Sequence, residues 1–335
     1  MNYQHQKAEH CENGAIKNIL HHYGWEISEN LIFGIGSGIY FIHVPYIRHE
    51  NMPLSMFRTA PVQIFQNLAK ELHLKLHTQR FIIKGNGMKK LDKLLEKEIP
   101  VGAVVGLNHL PYFPMELRGE FNGHHIVVYG KEEDRYLISD TFPLIKGKET
   151  LTYDELKNVR FTKGLLSPRG QLFYITKVPS KADLPSAIKG GISRSCNMML
   201  QQKIPYFGIK GLYYFADQMM YWGKRYDAKE LKRNIRQMVR LLEETGTGGS
   251  GFRYLYAGFL EEAASVIHHT KLHLIADQMQ NIGDLWRYIA TESLRYSKWA
   301  GKENIEIKTI FEIAGMIKEV AQKEEKVFKD LICIN

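Results

Sequence analysis

The sequence is short of several things. It has no long apolar run: the smoothest stretch, Val101 to Leu107, falls far below the ~20 residues a membrane-spanning helix needs, so no membrane association is expected. Its first residues, Met1-Asn2-Tyr3-Gln4-His5-Gln6, are polar and lack the charged start and apolar core of a secretory signal, so a cytoplasmic protein is expected. It has 3 cysteines, Cys11, Cys196 and Cys333, with no Cys-x-x-Cys pair, which argues against a disulfide framework and against a cysteine-based zinc site. Glu261, Glu262, His268 and His269 match no recognised ligand spacing, and no metal is assigned. Acidic residues are in deficit: 36 Asp and Glu against 45 Lys and Arg leave a formal charge of +9, which favours an acidic partner. No internal repeat or low-complexity tract is present.

What is there is ordinary globular material. The 335 residues are 44% hydrophobic and 24% charged, enough for two domains with real cores. The first part alternates helix and strand. Ala15, Ile16, Ile19, Leu20 and Tyr23 follow Cys11 at helical spacing, with Gly24 as a left-handed stop. Ser28 caps a short helix that runs into the glycine-rich 34–38. Strands are predicted over 39–44, 74–81, 100–107, 125–131, 135–140 and 171–178, and helices over 61–72 and 86–97. From about Lys181 the pattern turns wholly helical, with helices near 183–203, 207–222, 227–244, 251–269, 272–297 and 307–330. The expected fold is α+β: a mixed domain over 1–180, then an all-helical domain over 181–335.

The chemistry concentrates on Cys11. A cysteine at a helix start meets unpaired backbone N–H groups and the positive end of the helix dipole, and both favour the thiolate. The same amides can hold an oxyanion. A base is offered by His124 and His125, which open a strand; a second strand ends on Asp140, with the polar Glu132-Glu133-Asp134 between them. A hairpin with Glu132 and Glu133 at its tip sets His125 directly opposite Asp140, close enough for the carboxylate to orient the imidazole. His124 then points to the other face. The expected catalytic set is Cys11, His125 and Asp140, and a slip of one residue in the register would exchange the histidines.

Cysteine early on a helix, then histidine and a carboxylate on later strands, is the papain-like order. With Gln6 ahead of Cys11, Tyr23-Gly24 after it, His125-Ile126-Val127-Val128-Tyr129-Gly130 and Ser139-Asp140, the first domain resembles the C39-type cysteine peptidase fold. More narrowly, Glu9-His10-Cys11-Glu12, the run from Leu31 to Gly38, Asn108-His109-Leu110-Pro111-Tyr112 and the run from Thr245 to Tyr256 resemble the butirosin biosynthesis protein H family of acyltransferases, over nearly the whole chain. That resemblance implies antibiotic or other secondary-metabolite biosynthesis, in which an acyl group passes from a phosphopantetheine thioester on an acyl carrier protein, through Cys11, to a small-molecule amine of aminoglycoside type. No tightly bound cofactor is implied. C39-type peptidases usually have glycine after the cysteine and glutamine six residues before it; here Glu12 follows and His5 stands six before, so the oxyanion side chain is Gln6, with Gln4 and His5 as alternatives. Glu12 would raise the thiol pKa unless it points away.

The glycine-rich turn ahead of Phe252 can cradle a phosphate at a helix N-terminus, which makes Gly248, Gly249 and Arg253, with Tyr112 of the short motif, candidates for contacting substrate or phosphopantetheine. Lys224, Arg225, Lys229, Lys232, Arg233, Arg236 and Arg240 form a basic surface suited to an acidic carrier protein; aromatics are not interleaved, which disfavours nucleic acid. The aromatic and methionine run from Tyr213 to Trp222 reads as core, with an acyl tunnel as the alternative. Two other functions stay open: a cysteine peptidase or amidase, and a non-catalytic binding protein on a degenerate papain-like fold with a buried, inert Cys11.

Overall fold

A computed structural model of the chain describes residues 1–49, 52–119, 121–244, 248–299 and 307–334. It is α+β and divides into two units. One comprises Met1–Ile32 and Pro61–Asp183, the other Phe33–Ala60 and Leu184–Asn335. A single cut near residue 180 does not describe this division, because the stretch over Phe33–Ala60 belongs with the later helices. Helices α1 (Cys11–His22) and α2 (Glu29–Ile35) open the chain, and an antiparallel hairpin follows, β1 (Ile39–His49) with β2 (Met52–Arg58). The first strand is longer than the pattern predicts. The second is absent from the sequence reading, because Pro53 and a half-buried, non-alternating face hide it.

The first unit continues with α3 (Gln63–Glu71), β3 (Lys75–Gln79), α4 (Lys84–Leu95), β4 (Val101–Val105), β5 (His124–Glu132), β6 (Arg135–Ser139), β7 (Lys148–Thr152), α5 (Tyr153–Arg160) and β8 (Leu172–Lys177). The strands form one antiparallel sheet in the order β3-β8-β4-β5-β6-β7. Alternation sorts the side chains. Val101, Ala103, Val105, Ile126, Val128, Ile138 and Leu172 pack with Met88 and Leu91 of α4 and Leu156 and Val159 of α5. The other face is covered by α1, which lies against β5 and β4 on its buried Ala15, Ile16, Ile19 and Leu20, and by α3, whose Phe65 meets Phe173 edge-on. The β7–α5 pair was not predicted, although a sign of it is present: Thr152 and Glu155 form a reciprocal capping box at the start of α5.

The second unit packs the hairpin with α6 (Leu184–Leu200), α7 (Gly208–Met220), α8 (Trp222–Arg225), α9 (Ala228–Glu243), α10 (Arg253–Ile267), α11 (Lys271–Trp299) and α12 (Ile307–Ile332). Phe41 of β1 meets Phe57 of β2 and Phe215 of α7, and Phe215, Met219 and Trp222 are buried, so this part of the aromatic run is core. The turn before α10 runs through the left-handed region at Ser250, Gly251 and Phe252. It is held by a buried ion pair. Arg253 donates from Nε and Nη2 to the two oxygens of Glu324, each at 2.9 Å, and from Nη1 to the Gly251 carbonyl at 2.6 Å. Trp286 Nε1 donates to Glu324 Oε1 at 2.7 Å, and the guanidinium lies over the rings of Phe57 and Trp286. Among the described residues no helix is long and apolar enough to cross a membrane.

Removing one partner of such a pair strands the other charge in the core. Glu324→Ala is expected to cost about 3–5 kcal/mol of stability, read by chemical denaturation. A double change of Arg253 and Glu324 to apolar residues should recover much of that loss.

Candidate active site

The segment leading into α1 is pinned along its length. The Gln6 N–H donates to Asn18 Oδ1 at 2.8 Å, and Asn18 returns a hydrogen bond to the Gln6 carbonyl. The Ala8 N–H donates to the Thr141 carbonyl at 3.1 Å, and the N–H groups of Glu9 and His10 donate to the Glu29 carboxylate. Helix α1 can approach Thr141 because residue 14 is glycine: a Cβ there would fall 2.3 Å from the Thr141 hydroxyl. These ties fix where α1 begins. Its first residue, Cys11, is half-buried, with the helix N-terminus and its outward-facing amides at its back.

The β5–β6 hairpin departs from the predicted register. Glu132 pairs with Arg135, so the tip is Glu133-Asp134, with Glu133 left-handed at φ 52°. That displaces the ladder by two residues, and a bulge at Tyr129 takes one of them back, to Val128 opposite Ile138 and Val127 opposite Ser139, a net slip of one. The shift exchanges the two histidines. His124, not His125, lies beside Asp140: its Nε2 is 2.7 Å from Asp140 Oδ2. Tyr112 donates its hydroxyl to the same oxygen at 3.0 Å, and the Phe142 N–H donates to Oδ1 at 3.1 Å. The Asp140 N–H donates to the carbonyl of Gly147, a residue at φ 99° against the His5 ring. With Nε2 committed to Asp140, His124 stands close enough to Cys11 for each to shift the other's titration, while the hydrogen-bond contact of Cys11 Sγ is with His125 Nδ1 at 3.9 Å. His124 and Asp140 are thus paired beside Cys11, and Tyr112 braces the carboxylate.

His125 occupies the opposite face of β5, where it pairs with Val104 and packs against Phe173. It is completely buried. Its Nδ1 is nonetheless 3.9 Å from Cys11 Sγ, and its Nε2 is 3.8 Å from Glu12 Oε2. Glu12 is also fully buried, with one carboxylate oxygen 3.4 Å from the Phe65 N–H. Two residues past the cysteine, Asn13 is buried with neither amide atom paired to protein, a feature that sequence reading missed.

The electrostatics follow from this layout. Burial alone would favour a neutral thiol, but hydrogen bonds and charge from His124 and His125 bring Cys11 down to about 5. Burial likewise opposes charge on His124, and Asp140 and Cys11 outweigh it, raising the imidazole to about 10. The pair rests as thiolate and imidazolium. Cys196 shows the contrast: buried inside α6 with no imidazole near it, it is pushed up to about 12.

Other predicted positions fall elsewhere. Both hydrogen bonds of Gln6 are made by its main chain, His21 Nε2 contacts Gln4 Oε1 and His5 Nδ1 contacts Ser139 Oγ, so none of the three is shown addressing Cys11 with its side chain. The phosphate reading of the glycine turn is corrected. Arg253 is fully buried on Glu324, and the turn that holds Gly248 and Gly249 faces a carboxylate, since the Ser250 N–H donates to Glu243 Oε1 at 3.1 Å. The Arg287 guanidinium also borders Gly249 and pairs with Glu243 at 3.4 Å, so the local charge there is already matched. Residues 245–247 of that motif lie outside the described residues. Among the described residues no group of three or more His, Cys, Asp and Glu could hold a metal.

Site-resolved alkylation with iodoacetamide checks this state. Cys11 is expected to react as thiolate down to about pH 5 and to lose reactivity below it. In His124→Ala its midpoint should move well upward, towards the ordinary thiol value of about 8.5. An unshifted profile in that variant would remove His124 from the site.

Residues 10–141 match the family described as butirosin biosynthesis protein H, N-terminal. Residues 154–331 match a domain of unknown function, DUF4872. Among curated proteins nothing matches. Of solved structures, the peptidase domain of Streptococcus ComA, a bifunctional ABC transporter of a quorum-sensing pathway, aligns at 13% identity and TM-score 0.33, covering 53% of this chain and 100% of that one. The DUF4872 match spans more than half of the chain, and the other match contains Cys11, His124 and Asp140: the protein belongs to the DUF4872 family, and its first part is similar to the N-terminal domain of butirosin biosynthesis protein H.

Proposed function

We propose that the protein is a cysteine-dependent acyltransferase that accepts an acyl group from a carrier-bound phosphopantetheine thioester and passes it to an amine. The observation that carries this reading is Cys11 at the mouth of α1 beside His124, whose imidazole Asp140 holds in place at 2.7 Å and which draws the thiol well below its ordinary value. The butirosin biosynthesis protein H match supports a cysteine-dependent enzyme of antibiotic biosynthesis.

The chemistry balances around one sulfur. The thiolate attacks the thioester carbonyl, and the α1 amides face the oxyanion. The carbonyl re-forms, the pantetheine sulfur leaves, and His124 gives it a proton. The now neutral His124 takes a proton from the nucleophile that attacks acyl-Cys11, and the thiolate leaves. Amine gives transfer and water gives hydrolysis. Exposed Lys224, Arg225, Lys229, Arg233 and Arg236, set opposite the buried Leu231, Ile235 and Met238 stripe, suit an acidic carrier.

Intact-mass analysis after incubation with acyl carrier thioesters tests the reading. An acyl adduct is expected on the wild type and none on Cys11→Ser; an adduct on Cys11→Ser, or none on wild type with any donor, overturns it. The carrier surface has its own test. Reversing Lys229, Arg233 and Arg236 to Glu should raise the KM for carrier-bound donor about tenfold or more at low salt, while leaving turnover of a small thioester unchanged.

A further inference from the structure

The carboxylate that orients His124 is supported by more than the bonds to its own oxygens. Residues 3–8, just ahead of α1, touch the chain that carries Asp140 on both sides of that residue. Before it, His5 Nδ1 is 2.8 Å from Ser139 Oγ. After it, the Ala8 N–H donates to the Thr141 carbonyl at 3.1 Å, and Lys7 Nζ donates to the Pro143 carbonyl at 2.9 Å. Tyr3 stacks on Tyr129, the bulged residue of β5, with ring centroids 4.5 Å apart. The same residues are tied to α1 by the paired hydrogen bonds of Gln6 and Asn18. One short stretch therefore grips both the helix that starts at Cys11 and the strand end that leads to Asp140.

Within that stretch His5 meets two of the supports of Asp140 at once. Besides Ser139, its ring lies against Gly147: a Cβ there would fall 2.2 Å from His5 Nε2. Gly147 stands at φ 99°, and its carbonyl receives the Asp140 N–H at 2.8 Å. Charge is not the means. Burial, with Lys148 and Lys7 nearby, lowers the titration of His5 against the pull of Asp140, which leaves the ring neutral at neutral pH. A neutral ring acts by contact. Tyr112 and the Phe142 N–H hold the carboxylate oxygens, whereas His5 bears on the main chain from which they hang. Such a pair works only when its geometry is kept within about 0.5 Å.

We propose that His5 is a positioning residue of this site: bonded to Ser139 and seated on Gly147, it holds the main chain of Asp140 where the carboxylate meets His124 Nε2. His5 in this role rests on the reading of Cys11, His124 and Asp140 as the working site, and is indifferent to the acyl donor and to whether nitrogen or water takes the acyl group. Without the ring, the turn at Gly147 relaxes and Asp140 draws back from His124. His124 then loses the partner that makes it basic, and Cys11 loses part of the positive charge that draws its thiol down.

The test is a double-mutant cycle in the full-length chain, read as the pH midpoint of iodoacetamide alkylation at Cys11. It compares wild type, His5→Ala, Asp140→Asn and the variant carrying both changes. His5→Ala is expected to raise the midpoint by about one pH unit or more, and Asp140→Asn by more than that. Added to Asp140→Asn, His5→Ala should move it by less than about 0.3 unit, because both act on the same contact. Gly147→Ala, which crowds the His5 ring from the other side, is a second route to the same upward shift. Glu155→Ala, which breaks the capping box of α5, controls for lost stability alone and should leave the midpoint where it is. A midpoint unmoved in both His5→Ala and Gly147→Ala, an equal shift in Glu155→Ala, or a His5→Ala shift that adds in full to that of Asp140→Asn would overturn the role of His5 and leave the site standing. A wild-type midpoint at the ordinary thiol value would remove the site and His5 with it. Should carrier thioesters fail to acylate Cys11 while the cycle closes as expected, His5 keeps its role and the donor assignment falls.

Discussion

Asp140 is the point on which the site hangs. A buried carboxylate is tolerable only when its oxygens are occupied. Here the donors come from three places: the first residue of β5, the loop holding Tyr112, and the main chain at Phe142. Each donor costs the fold something specific. Tyr112 must turn its hydroxyl inward, β5 must bulge at Tyr129, and Gly147 must adopt a left-handed backbone to receive the Asp140 N–H. Once those are in place His124 is fixed, and the lead-in to α1, tied to Thr141 next door, sets Cys11 beside the histidine pair.

The protein also shows how little a cysteine's identity says about its reactivity. Cys11 and Cys196 both lie on helices, yet one is drawn down to about 5 and the other pushed up to about 12. The difference is position along the helix and the presence of imidazole. A thiol at the mouth of α1 has a helix N-terminus and two histidines near it; a thiol in the body of α6 is raised chiefly by its burial.

Much of this was legible in the residues. Helix period located α1, α4 and the later helices, and the order of Cys11, a histidine pair and Asp140 pointed to the right strands. The choice between His124 and His125 was not legible. It turned on a hairpin without an Asn-Gly or Asp-Gly tip, where Glu133 takes the left-handed position instead, and on a bulge that leaves no mark in an alternating pattern. Arg253 misled for a different reason. Beside a glycine turn it looks like an anion ligand, but its partner Glu324 lies far along the chain, and only packing reveals that the charge is already matched. The structure also resolves the worry that Glu12 would oppose the thiolate: its carboxylate turns to His125 and α3.

The hairpin over Phe33–Ala60 has a consequence for synthesis. A chain that emerges N-terminus first presents β1 and β2 long before α7 and α9, the helices that pack on them, have been made. Phe41 and Phe57, both buried in the finished fold, must wait uncovered while the whole six-stranded sheet is translated. The interval is one in which a holding chaperone has something to hold, and a fragment cut at Asp183 would keep that exposed surface permanently.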